Sequence, residues 1–420
     1  MHIKAEEAYK IAREQYSKYE INTDEVVNKL KEIPISIHCW QGDDCGGFEK
    51  GGSSLSGGGI LSTGNYPGKA SSLIELRNDI EKAFSLIPGK KRLSIHAMYG
   101  DFPSKNIDRN QIENKHFISW IEWAKSLNIG LDFHPTLFSH PLANDGFTLS
   151  SRNKEVRKFW IEHVKKSRGI SNHIGESLKS PCIMNLWIPD GIKDNTVNRL
   201  YHRQILAESL DEIFSIKFPE KNLIDTVESK LFGIGSESYV VGSYDFYLSY
   251  ALKNNLFLTL DTGHFHPTEL VSDKISSLIP FIKGIVLHLS RGIRWDSDHV
   301  TIMNDEMIAI MQEIVRADAF NKIFISSDFF DGSINRIGAL VIGERAILKS
   351  LLFALLEPVD ILRKYEQENI LFARLGLMEE LKSMPFGFVW DYFCESLGVP
   401  KELDWIDEVL MYEKEVTSKR

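Results

Sequence analysis

The stretch "LFLTLDTGHFHP", residues 256–267, decides how this chain is read. Leu256, Phe257, Leu258 and Leu260 make a run short enough for a strand and apolar enough for one buried on both faces. It ends in Asp261, His264 and His266, three potential metal ligands within six positions. One such cluster is an accident of composition. A series of them, each closing a similar strand, implies an architecture in which strand ends converge.

The series exists. Comparable apolar runs stand at 34–41 (PISIHCWQ), 92–99 (RLSIHAMY), 129–136 (IGLDFHPT), 182–190 (CIMNLWIPD), 223–232 (LIDTVESKLF), 284–292 (GIVLHLSRG) and 322–330 (KIFISSDFF). With the opening stretch, taken as 256–265, they number eight. Amphipathic stretches of helical period separate them, among them 71–87, 116–128, 156–167, 197–216 and 236–254. Eight strands alternating with helices is the count of a (β/α)8 TIM barrel. A doubly wound sheet is the rival. It usually needs fewer strands and a phosphate-binding turn after the first, whereas "GIGSES" at 233–238 lacks the third glycine and follows the fifth. Residues 1–33 read as an N-terminal helical segment, 34–345 as the barrel and 346–420 as a C-terminal helical extension suited to subunit contacts. The Gly/Ser-rich stretch 42–69 follows the first strand and falls at the barrel mouth or serves as a plain connection.

Composition narrows the function classes. A chain of 420 residues with 43% hydrophobic content can bury a large core. Its formal charge of -9, from 49 basic and 58 acidic residues, offers no basic footprint for nucleic acid. Cys39, Cys45, Cys182 and Cys394 form no CxxC pair and are too scattered for a disulfide framework. No apolar run is long enough to span a membrane, and "MHIKAEEAYKIAREQ" is a charged amphipathic helix without the core of a signal peptide. A cytoplasmic protein acting on a small molecule is expected.

The strand ends carry the chemistry. Glu228 and Lys230 close the fifth strand, Asp261 and His264 the sixth, His288 the seventh with Asp296 and Asp298 beyond it, and Asp328 the eighth. The first four add His38, Trp40, His96, His134 and Trp187. A single Asp at a strand end is more often a helix cap, and a single His in an apolar strand is more often a hydrogen-bonded core residue. Carboxylates gathered in one cavity are different, because burying them requires a compensating cation or shifted pKa values. A divalent metal supplies that charge. Carboxylate and imidazole without thiolate suit Mn²⁺, Mg²⁺ or Co²⁺ better than a structural Zn²⁺ site. Asp296 and Asp298, two apart on an extended segment, face one side and reach one ion. Trp40, Trp187 and His96 at neighbouring strand ends are the candidate substrate contacts, the indoles as flat walls for a sugar ring or carbon chain. GxSxG, HExxH and CxxC motifs are absent.

The blocks "HCWQGDD" (38–44), "TGNYPGKA" (63–70), "NLWIPDGIKD" (185–194), "ESKLFGIGSESYVVGS" (228–243), "DTGHFHPTE" (261–269), "RWDSDHV" (294–300) and "DFFDGSINR" (328–336) closely resemble the L-rhamnose isomerases. The resemblance runs over essentially the whole chain. It implies a barrel similar to that of xylose isomerase, a homotetramer and two divalent ions per chain, usually Mn²⁺. One metal would be held by Glu228, Asp261, His288 and Asp328, and the second by His264, Asp296 and Asp298. Lys230, Asp296 and Asp298 would be the catalytic groups: the lysine near the sugar carbonyl, the two aspartates beside a water that shuttles the hydroxyl proton. The implied reaction is aldose-ketose isomerisation of L-rhamnose to L-rhamnulose after ring opening, by hydride shift or through a cis-enediol. A metal-dependent phosphodiester nuclease and a non-catalytic sugar-binding protein remain as rivals, the first disfavoured by the acidic balance.

Overall fold

The structure is a computed structural model that describes residues 4–48, 63–103, 107–230, 238–266, 268–293 and 298–420. The apolar runs become parallel strands β1 (Ile35–His38), β2 (Lys91–His96), β3 (Gly130–His134) and β4 (Cys182–Trp187), then, after the two-residue β5 (Gly191–Ile192), β6 (Leu223–Glu228). A second short strand, β7 (Tyr239–Val240), precedes β8 (Phe257–Asp261), β9 (Ile285–Leu289) and β10 (Ile323–Ser327). The long strands close in the order β1-β10-β9-β8-β6-β4-β3-β2, so all eight expected strands are present and form the expected barrel. Each stops sooner than the run that announces it.

A helix follows every barrel strand: α3 (Leu73–Leu86), α4 (Ile118–Leu127), α5 (Lys154–Leu178), α6 (Arg199–Ile213), α7 (Tyr244–Asn254), α8 (Val271–Leu278), α9 (Asp305–Arg316) and α10 (Arg336–Leu355). Before them lie α1 (Ala5–Ser17) and α2 (Thr23–Glu32), and after them α11 (Val359–Gln367), α12 (Leu371–Leu381), α13 (Phe386–Ser396) and α14 (Asp404–Glu415). Two expectations are corrected. The helix expected from 236 begins only at Tyr244, because Tyr239–Val240 pairs antiparallel with Gly191–Ile192. A boundary after residue 345 would cut α10, which is buried along most of its length and packs on α9 and α3. No helix among the described residues is long and apolar enough to cross a membrane.

Register sets what the barrel mouth contains. Asp261 lies opposite His288, Trp187 opposite Glu228 and His96 opposite His134 in their ladders, so the polar ends stand level. At the strand beginnings Ile183, Phe257 and Val286 form a small apolar cluster. Beside that cluster, Arg92 makes two bonds to Asp132, at 2.9 and 2.7 Å, and Asp132 also accepts from Ser36 and from the Ile183 amide. A buried ion pair so fully bonded is tolerated where a bare one is not.

Arg336, the first residue of α10, gathers the chain around the mouth. It makes a bidentate bond to Asp44 at 2.7 Å and donates to the carbonyls of Tyr66 and Pro67. Nearby, Gly64 lies so close to Gly332 that a Cβ would come within 2.3 Å of its backbone, and its φ of +119° also favours glycine.

Two glycines of α5 should separate packing from propensity. A Cβ on Gly175 would sit 1.8 Å from the Asn222 carbonyl, whereas one on Gly169 meets nothing within 4 Å. Gly175→Ala should therefore destabilise by at least about 1–3 kcal/mol, and Gly169→Ala should stabilise by about 0.5–1 kcal/mol. Thermal denaturation of the pair checks this; shifts of the same sign would contradict it.

Candidate metal centre

Four strand ends supply the centre. Glu228 ends β6, Asp261 ends β8, His288 lies in β9 and Asp328 follows β10. One ligand atom from each lies within 4.8 Å of all the others. His288 Nδ1 is 3.3 Å from Glu228 Oε2, 3.4 Å from Asp328 Oδ2 and 4.0 Å from Asp261 Oδ2. A second group, Asp261, His264 and Asp298, meets the same test and shares Asp261 with the first.

On Asp261 and Asp328 the surrounding bonds occupy one carboxylate oxygen and leave the other toward the cluster, whereas on Glu228 the bonded oxygen, Oε2, is also the one 3.3 Å from His288 Nδ1. Gly263 donates to Asp261 Oδ1 at 2.7 Å, while Oδ2 is buried with no hydrogen-bond partner. Trp40 Nε1 donates to Asp328 Oδ1 at 2.9 Å. Asn185 Nδ2 donates to Glu228, and Thr259 donates to the Asn185 carbonyl oxygen at 2.7 Å, which fixes the amide's orientation. His264 Nδ1 lies 2.9 Å from the Ser229 carbonyl, an arrangement that places the proton on Nδ1 and leaves Nε2 as a lone-pair donor. His288 Nδ1 is likewise buried without a hydrogen-bond partner. Orphaned buried polar atoms call for an explanation, and a hard divalent cation among oxygen and imidazole donors provides one. The residues present fit such an ion.

Electrostatics agree. Burial pushes the Asp261 carboxyl up to about 7, a shift His264 opposes and Glu228 and Asp328 reinforce. Burial would also raise Glu228, yet His288 and His264 outweigh it and hold the carboxyl well below its usual range. The other imidazoles of the mouth are neutral: burial takes His38 down to about 4, His96 to about 3 and His134 well below its ordinary value. Gly263 is there for space, since a Cβ would come within 2.9 Å of Ser290 Oγ and 3.3 Å of Asp298 Oδ1. Asp298 itself holds a φ of +40°, a strained conformation for a non-glycine residue.

The sequence-derived candidates divide as follows. Glu228, Asp261, His264, His288, Asp298 and Asp328 come together. Asp296 lies outside the described residues, as do 49–62 of the Gly/Ser-rich stretch and 233–237 of "GIGSES". Lys230 is buried with its ammonium 5.0 Å from the Trp187 ring centre, and Trp187 stacks toward His264. Trp40 is only 1% exposed, so what it offers is its N–H to Asp328 and ring contacts to His96 and His134 at 4.8 and 5.1 Å. His266 stays exposed, bonded to Thr268. Asn185 was missed, although an amide inside the apolar run "CIMNLW" is itself a signal.

Comparison with known proteins gives relatives over nearly the full length of the chain. A sequence model of the L-rhamnose isomerase family matches residues 1–420. The L-rhamnose isomerase of Listeria innocua is 53% identical over 412 residues, covering 98% of each chain. That of Salmonella typhimurium is 52% identical over 417 residues, 99% of each. Among solved structures, a D-tagatose 3-epimerase-like protein superposes with a TM-score of 0.50 at 18% identity, covering 68% of this chain and 94% of its own, which speaks for the barrel alone.

Trp40→Phe removes one orienting hydrogen bond and keeps a ring. It should weaken Mn²⁺ binding to the metal-stripped chain about 10-fold or more. Titration calorimetry measures this, and unchanged affinity would mean that the indole does not hold Asp328.

Proposed function

The chain belongs to the L-rhamnose isomerase family, and from that premise we propose that it is a divalent-metal-dependent aldose-ketose isomerase that interconverts L-rhamnose and L-rhamnulose. The observation that carries the metal reading is the pair of unpartnered, buried ligand atoms, Asp261 Oδ2 and His288 Nδ1, facing Glu228 and Asp328. Glu228, Asp261, His288 and Asp328 would hold one ion. His264 and Asp298, with Asp261 from the first group and Asp296, would hold a second. Mn²⁺ is the proposed metal, with Mg²⁺ or Co²⁺ as substitutes, since the donors are hard oxygens and imidazoles. When bound, such ions supply Lewis-acid polarisation of the sugar oxygens and fix the open chain.

The protein groups do the rest. Trp187, with Phe138 edge-on at 5.8 Å, gives a flat apolar wall for the carbon chain, and His96 completes the substrate contacts. The Lys230 ammonium, placed against that wall, stabilises negative charge developing on the sugar oxygen. Asp296 and Asp298 accept and return the hydroxyl proton through water. Neutral His38, His96 and His134 keep the floor of the site from competing as cations. With the reacting carbons so held, hydrogen passes directly between C2 and C1. The proposed assembly is a homotetramer built on the appended helices, where Phe372, Leu375, Leu410 and Met411 are exposed apolar residues. Four buried free thiols suit a reducing cytoplasm.

Metal-stripped protein should form no ketose from L-rhamnose, and added Mn²⁺ should restore turnover. Asp261→Asn should cut restored turnover at least about 100-fold, because it weakens the ligand common to both groups. Full activity without metal would overturn the reading, and activity confined to another aldose would overturn only the substrate. In deuterated water the ketose should carry no deuterium at C1; label there would instead support the enediol route.

A further inference from the structure

Behind the centre, on the helix side of β10, lies an acid that the mechanism above does not use. Glu344 of α10 is 1% exposed, and neither of its carboxyl oxygens has a completed hydrogen bond. The polar side chain that bears on it is Ser327, the residue immediately before Asp328. Ser327 Oγ in turn lies 2.8 Å from His38 Nδ1. His38 is fully buried, packs edge-on against Phe329 at 4.5 Å and lies 5.2 Å from the Trp40 ring, with Nε2 unpartnered. Asp328 and His288 are the charged neighbours that act on its ring. The helix comes this close because Gly343 carries no side chain: a Cβ there would meet the Phe329 ring at 2.2 Å.

A buried carboxyl with no cation beside it costs least as the neutral acid. Burial pushes Glu344 up to about 8, so near neutral pH it carries a proton to donate. Of the two hydrogen-bond directions that a protonated carboxyl, a hydroxyl and an imidazole in sequence allow, only the one running from the acid to the imidazole uses the acid's own O–H.

We propose that Glu344 is a positioning residue for the metal centre: its carboxyl donates to Ser327 Oγ, Ser327 donates to His38 Nδ1, and the ring is thereby locked as the Nε2–H tautomer beside Trp40 and Asp328. This rests on the metal reading of the site. The relay fixes both flanks of Asp328, Ser327 from the chain and, on the other side, His38 at the end of β1 with Trp40 just beyond it, so the carboxylate is aimed without any charge being added to the mouth.

The test uses the full-length wild-type chain, Glu344→Gln and Glu344→Leu, each with ¹⁵N-labelled histidine. In the metal-free proteins, ring-nitrogen shifts report the His38 tautomer; calorimetry then gives the affinity for Mn²⁺, and thermal denaturation gives the stability. Wild type should show Nδ1 unprotonated. Glu344→Leu should show mixed tautomers and bind Mn²⁺ about 10-fold more weakly, with Tm unchanged or higher because a buried acid whose second oxygen has no partner has become apolar. Glu344→Gln, whose amide can still donate to Ser327, should restore the single tautomer and the affinity. A wild-type tautomer and affinity in Glu344→Leu would overturn the relay. So would a fall in Tm that accounts for the weaker binding. Should none of the chains bind Mn²⁺ while the tautomer still follows residue 344, the relay stands and the metal reading falls.

Discussion

Four carboxylates and two imidazoles, largely withdrawn from water, must share the mouth of this barrel, and nearly every other feature follows from that expense. Isolated ionised carboxylates in a low-dielectric interior are too costly to persist. They are held here because strand register delivers them together and because each keeps at least one protein partner. Asp261 has the Gly263 amide, Asp328 the Trp40 indole and Glu228 the Asn185 amide. On the ligands themselves, the atoms without a hydrogen-bond partner are Asp261 Oδ2 and His288 Nδ1, which face the cluster. The ligand set is thus held from the protein side and left open where a cation would complete it.

The same constraint explains why so many histidines stand in so small a space. His38, His96 and His134 are deprived of water and stay neutral. Charged, they would compete with a metal for the carboxylates; neutral, they are compact polar fillers that hydrogen bond sideways. His38 bonds to Ser327 and His96 lies 3.4 Å from Thr136. The lower barrel solves a related problem differently, enclosing the Arg92–Asp132 pair in bonds from Ser36 and the backbone.

Much of this was legible in the sequence. Strands buried on both faces must be written as continuous apolar runs, and polar residues at their ends stand out against that background. All eight strands and six of the seven expected metal ligands could be followed into the structure that way, with Asp296 outside the described residues. The misses have physical reasons. β5 and β7 are two residues each, too short for any periodicity, and they exist only because two loops meet. Asp261 belongs to both ligand groups because of its depth in the mouth, which ladder register and the Gly263 turn determine. Glu344 lies within a helix whose sequence is apolar around much of its circumference, and only the packing against β10 reveals that a carboxyl is inside.

The Arg336 clamp bears on how such a barrel can vary. One guanidinium holds Asp44 near one end of the Gly/Ser-rich stretch and the Tyr66 and Pro67 carbonyls near the other. The two stems are therefore anchored independently of whatever joins them. Closing a loop between fixed points costs only about 0.6 kcal/mol for each doubling of its length. The sequence between these anchors is thus a place where evolution, or an engineer, can change length while the anchored stems keep their bonds to Arg336.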